Sequence, residues 1–338
     1  MRKIVQCLGV LAAVALAAAG VSAGSASAAT QRTVKTRAQW QAAIAQVPAP
    51  GTGCYHASYP ALQWHAVKCG VAPKVPFAPA TVGNGVDYSA QVSGLISKAT
   101  ATFHDVSANI TEKGKVGNEG SEVANAFSLQ LNTQFFSGSP ECSGSADPAK
   151  CLAWQQFVYG KFGGAGQVFM QYWLINYDAT CPAGWFTDST DCYTNSSSAD
   201  LAKPLTAKNL ATVKLSGSAA SGGLDKLSLS VGSGQATLVT NSDSEIDLAA
   251  AWNTTEWDVF GDGGGGEAFF GTGTTLEAQT VLTATSHAAP TCVKEGFTAE
   301  TNNLSLAKTP ALGSEPSPTM ASKQTNGTSG TASCAVKA

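Results

Sequence analysis

From Asn125 to Thr133 the chain reads NAFSLQLNT, with apolar and polar positions in strict alternation. Phe127, Leu129 and Leu131 fall on one face of an extended strand, and Ser128, Gln130 and Asn132 on the other. The longer run QVFMQYWLINY (167–177) divides in the same way. Val168, Met170, Tyr172, Leu174 and Asn176 form one face, with the character of core. Gln167, Phe169, Gln171, Trp173, Ile175 and Tyr177 form the other, where amides sit among rings. That face predicts a groove wall, with Gln171 flanked by Phe169 and Trp173.

Other segments follow the same two-residue period. WQQFVYG and QVFMQYWLINY flank KFGGAG and predict a β-hairpin. LATVKLS, LDKLSLSV and QATLVT predict three strands, the last two joined by GSG. TTEWDVFG and GEAFFGTG predict another pair around DGGGG, and GFTAETNNLSL (296–306) a closing strand. One segment has helical spacing: RAQWQAAIAQV (37–47) places Trp40, Ile44 and Val47 on one face and stops at PAPGTG, predicting a short docking helix. GCYHASYPALQWHAVKCG (53–70) reads as a looped unit closed by its cysteines. In VAPKVPFAPA the prolines forbid helix and interior strand, so an extended linker is expected. Short strands with glycine turns and no long helical pattern imply an all-β, two-sheet antiparallel sandwich, one of its sheets open to a ligand.

The N-terminus adds a destination. MRK precedes an apolar run from Ile4 to Ala19, and Ala26 and Ala28 stand where a signal peptidase reads. A Sec-type signal peptide over 1–29 is expected, hence a secreted, extracellular protein with no membrane attachment after its removal. Domain expectations follow: helix, cysteine loop and linker over 30–82, the sandwich over 83–308, and a Ser/Thr/Gly-rich tail over 309–338. A net charge of −3 with 13% charged residues leaves no basic stripe for nucleic acid.

Apart from Cys7, inside the signal, eight cysteines remain, an even number that in an exported chain implies disulfides. Pairing of sequence neighbours is the simplest expectation: Cys54–Cys69, Cys142–Cys151, Cys181–Cys192 and Cys292–Cys334. No CxxC or close Cys/His pair points to zinc. Asp258, Asp262 and Glu267 surround a glycine loop that suits calcium oxygen ligands, yet their spacing matches no EF-hand. The expectation is therefore no metal and no cofactor.

Hydrolase signatures are sparse. GxSxG and HExxH do not occur, and His56, His65, His104 and His287 are scattered. What stands out is amides and acids among aromatics on three strands: Gln155 and Gln156; Gln171 with Trp173 and Tyr177; Glu256 and Asp258 beside Trp257. Such groups hydrogen-bond and stack on a sugar or peptide. A carboxyl among them can also work as general acid and base, with an amide holding an oxyanion.

The order of these elements resembles the glutamic peptidase family, over roughly residues 120–285. NAFSLQLNT stands where that family has its first long strand, WQQFVYG where its Gln lies, and FMQYWLINY resembles its Trp/Tyr/Glu-rich strand. NTTEWDVFGD resembles the segment in which Asn-x-Glu-aromatic precedes the catalytic Glu by four residues. The resemblance implies a concanavalin A-like sandwich (jelly roll). It also implies an acid-acting endopeptidase in which Gln156 polarises the scissile carbonyl and Glu256 is general base and acid. Four residues past Glu256 stands Phe260, which exchanges no proton. Two readings therefore stand together. One is a binding protein that holds an extracellular glycan or peptide through Gln130, Asn132, Gln171, Trp173, Tyr177 and Asp258. The other is a peptidase using Gln156 and Glu256.

Overall fold

A computed structural model describes residues 34, 36–77, 87–117, 119–162, 164–263, 266–294, 301–314, 316–327 and 333–338. The expected signal peptide, the Pro-rich stretch beyond Phe77 and the start of GFTAETNNLSL lie outside the described residues.

Strand periodicity builds two large antiparallel sheets. In the first, Phe186–Asp188, Asp191–Asn195, Ala165–Ile175, Leu152–Phe162, Phe127–Thr133, Thr254–Gly261, Tyr88–Gln91 and Thr291–Lys294 lie side by side in that order. Ser197–Asp200 adds to the far end of Ala165–Ile175 and itself pairs with Gly70–Val71. The second sheet runs His65–Val67, Gly53–Ser58, Gln235–Ser242, Leu224–Val231, Lys214–Ser218, Ile96–His104, Thr275–Ala284, Thr319–Thr325 and Ser305–Leu306. Ala335–Lys337 pairs with Thr319–Thr325 as well.

The sheets stack through the apolar sets that alternation assigns. Phe127, Leu129, Leu131, Val168, Met170, Tyr172 and Leu174 enter one buried cluster with Leu215, Leu227, Leu229 and Val239 of the second sheet. Trp257 crosses the layer, stacking 4.8 Å from Phe103 and donating its indole N–H to the Thr102 carbonyl at 3.1 Å. Gly217 is required by this packing, since the Phe157 ring of the opposite sheet lies 2.6 Å from where its Cβ would stand. The fold is an all-β sandwich.

All four disulfides expected from sequence neighbours form: Cys54–Cys69, Cys142–Cys151, Cys181–Cys192 and Cys292–Cys334. The helix occupies Arg37–Ile44, opened by a capping box in which Thr36 and Gln39 exchange side chain and backbone bonds. Its buried Trp40 and Ile44 pack on Tyr55, Trp64 and Leu238.

Two elements differ from expectation. Glu267–Phe270 does not pair with Thr254–Gly261 but joins a small separate sheet with Glu112–Val116, Glu119–Ala124 and Thr301–Asn302. Gly263, at φ +81°, turns the chain at the end of the first strand, and the second strand leaves it. The region past Thr309 is not a loose tail. Thr319–Thr325 pairs along its length with Thr275–Val281, burying Met320 and Ala321. Its apolar residues are too few to reveal a strand whose other core-side positions, Ser322 and Gln324, are polar.

Candidate functional site

In the first sheet, backbone register aligns Ser89, Glu256, Asn132, Gln156, Gln171 and Asn195 in one row across six adjacent strands. Alternation turns the row away from the inter-sheet core. The five residues from Ser89 to Gln171 are nonetheless fully buried, so each amide must find partners within the protein.

The partners form a continuous chain. Asn132 Nδ2 donates to Glu256 Oε2 at 3.0 Å and to Gln130 Oε1 at 3.3 Å. Gln156 Nε2 donates to the same Gln130 oxygen at 2.9 Å. The Trp173 indole N–H is shared between Gln156 Oε1 and Gln171 Oε1, 3.0 Å from each. Gln171 Nε2 then donates to Asn195 Oδ1 at 2.8 Å. Gln156 and Glu256 do not touch, because the Asn132 strand separates them by two strand spacings, about 9–10 Å at the backbone.

A second row, two residues along each strand, is aromatic. Trp154, Trp173, Tyr193 and Phe186 are register partners in sequence. Trp173 stacks on Tyr193 at 5.1 Å, and Phe135 meets Trp154 edge-on at 5.2 Å. On the other side of the amide row, Val158 and Phe169 form an apolar patch.

The Gln171 end of the face is occupied by the chain itself. Residues 72–77, expected to be a linker, cross it as a strap. Asn195 Nδ2 donates to the Pro73 carbonyl at 2.9 Å and Tyr193 Oη to the Lys74 carbonyl at 3.4 Å. Gln171 Nε2 donates to the Val75 carbonyl at 3.1 Å, and its Oε1 accepts the Phe77 N–H at 2.8 Å. Phe77 is buried on Val158, Phe162 and Phe169. The expectation of an open face is thus corrected: this end is filled by a segment whose prolines keep it extended and out of the ladder.

Gln130, Asn132, Gln156, Gln171, Trp173 and Glu256 therefore share one network. Tyr177 does not. Asn176 adopts a left-handed backbone, φ 55°, which breaks the alternation and sends Tyr177 into the main core. Asp258 leaves the row as well. One carboxylate oxygen accepts the Val259 N–H at 2.7 Å and the other bonds Gln324 of the opposite sheet. Burial pushes its pKa well up, and Asp87 adds to the rise. Phe260 is buried on the row's face and supplies no acid there. Asp258, Asp262 and Glu267 do not converge, since Asp262 accepts the Lys161 N–H at 3.0 Å while Asp258 bonds Gln324. Among the described residues no group of three potential ligands could hold a metal.

Sequence reading missed Asn195, Tyr193 and the strap. Asp191–Asn195 is only five residues long and contains Cys192, too short to show a period. Phe77, an aromatic among prolines, was the one available sign of a docked segment.

No family model and no curated protein matches this chain. Among solved structures it is similar to scytalido-glutamic peptidase, crystallised with a transition-state analogue inhibitor. The match has 11% identity, covers 71% of this chain and 97% of that one, and has a TM-score of 0.37. The likeness is one of fold. At that identity it does not assign side-chain roles, which come from the contacts of this chain.

Proposed function

We propose that this is a secreted, disulfide-stabilised sandwich protein that binds an extended peptide along the amide row of its first sheet. One observation carries the reading. Gln171, Asn195 and Tyr193 bond main-chain groups of residues 73–77, accepting one N–H and donating to three carbonyls. Peptide main chain is what these side chains read. A glycan is less well served, because the rings that would stack on sugar are packed on one another and the Trp173 N–H is already shared by two glutamines. Export fits the four disulfides, which persist in oxidising compartments.

The test is a binding panel of peptides and glycans against the mature protein. Binding of peptides that weakens at least tenfold in a Gln171→Ala, Trp173→Ala variant is expected. Undiminished binding by that variant, or binding of glycans alone, removes the reading.

A second reading has one contact in its favour. Glu256 meets Asn132 at 3.0 Å in the register row that holds Gln156, a carboxyl and amides on one face, as acid-acting endopeptidase chemistry requires. Glu256 would serve as general base and acid and Gln156 would polarise the scissile carbonyl. Cleavage of denatured protein at acid pH, lost in Glu256→Gln, is its expected signature; no cleavage between about pH 2 and 7 rejects it.

A further inference from the structure

Residues 72–77 are held differently from the strand that precedes them. The last ladder pairs before them are Val71 with Ser197 and Gly70 with Ser198. Beyond Val71 the strap's hydrogen bonds among the described residues come from side chains, those of Gln171, Asn195 and Tyr193. Removing it would open no sheet edge. Its two ends are anchored: Ala72 and Phe77 are buried, Lys74 is exposed, and Pro73, Val75 and Pro76 are half-buried. A bound extended peptide is held in the same way, its main chain read by the host and an anchor side chain in a pocket.

The deepest pocket is specific. The Phe77 ring meets Phe162 edge-on at 5.9 Å and lies 6.1 Å from Phe169, with Val158 completing the seat. Gly263 closes its rim, since Val75 Cγ1 stands 2.8 Å and the Phe77 ring 3.6 Å from where a Cβ would be. Pro76 carries no N–H, and the next N–H along, that of Phe77, is the one Gln171 accepts.

We propose that this seat is a subsite for an aromatic residue that follows proline in an extended peptide, and that the strap is its resident occupant in the free protein. The inference rests on the peptide-binding reading and names its ligand class and its lock. An incoming peptide of this kind must displace Phe77, so the strap lowers affinity without altering the seat.

The test uses a fluorescein-labelled hexapeptide of strap sequence, APKVPF, and its APKVPA counterpart, read by fluorescence anisotropy on the mature, oxidised chain. Phe77→Ala vacates the seat. A second variant, Pro73→Gly with Pro76→Gly, keeps Phe77 but makes the strap costlier to order, and so covers the case in which Phe77→Ala does not fold. APKVPF should bind Phe77→Ala at least tenfold tighter than wild type, and the double glycine variant severalfold tighter. APKVPA should bind Phe77→Ala at least tenfold more weakly than APKVPF does. Equal affinity of wild type and both variants for both peptides overturns the subsite and leaves peptide binding elsewhere on the row standing. Absence of binding to every variant, by these and by the wider peptide panel, overturns both.

Discussion

Gln171 makes four polar contacts from one amide: to the Phe77 N–H, the Val75 carbonyl, Asn195 and the Trp173 N–H. Replacement by leucine keeps much of the volume but leaves strap and row groups buried without partners. Each such group costs about 1–3 kcal/mol, so Gln171→Leu should lower stability by about 3 kcal/mol. Urea unfolding at unchanged m-value reads this directly, and a loss under about 0.5 kcal/mol would show that water or rearrangement supplies the missing partners. Asn176 works through its backbone. Its left-handed conformation suits asparagine or glycine, and a β-branched residue there costs about 1–2 kcal/mol. Asn176→Gly should therefore leave the melting temperature nearly unchanged, and Asn176→Val should lower it. Equal melting of the two variants would deny Asn176 the role of diverting Tyr177 into the core.

At the scale of elements, what could be read from sequence was what repeats every second residue over six or more positions. Phe127–Thr133, Leu152–Phe162 and Ala165–Ile175 bury the residues that alternation assigns to the core, and their polar partners line up as the amide row. Which polar faces meet depends on register between strands distant in sequence, such as Glu256 beside Asn132, and no local pattern encodes that. The strap was hidden for the opposite reason: a segment held by side chains of other strands carries no period of its own. The C-terminal strand was hidden by polarity. Thr319–Thr325 lies between Thr275–Ala284 and Ser305–Leu306, and its Gln324 bonds Asp258 across the layer. Truncation after residue 308 should therefore leave Asp258 Oδ2 without Gln324, unpair one edge of Thr275–Ala284 and prevent folding. Circular dichroism and the yield of oxidised protein would show it. A truncated chain with wild-type melting would return residues 309–338 to the status of a tail.

For the whole molecule, the dominant electrostatic feature among the described residues is a set of buried carboxyl groups, whose burial outweighs the one nearby cation, Lys161, at Glu112 and Asp262. Glu112 on the small sheet and Asp262 at the end of Thr254–Gly261 sit where those two sheets join, Gly117 donating to the Asp262 carbonyl at 2.7 Å. Burial raises both, each to about 8, and Asp262 reinforces the rise of Glu112. Asp225 is pushed up by burial and by Asp243 beside it. A folded pKa above the unfolded one means that the folded state holds the proton more tightly. Its contribution is complete below the unfolded carboxyl range, near 4, and is lost as pH rises toward 8, at up to about 1.4 kcal/mol per pH unit per group. The carboxyls shifted the other way, Asp105 and Asp147, are exposed beside lysines and offset little of this. Thermal stability should therefore be highest in acid and fall steadily between about pH 4 and 8. The Glu112→Gln, Asp262→Asn variant, which keeps an acceptor for the Lys161 N–H, should flatten that fall. Melting curves across this range decide the matter: a wild-type profile level from acid to pH 8, or a double variant with the wild-type slope, would mean that these carboxyls ionise without cost, through water reaching the joint between the sheets.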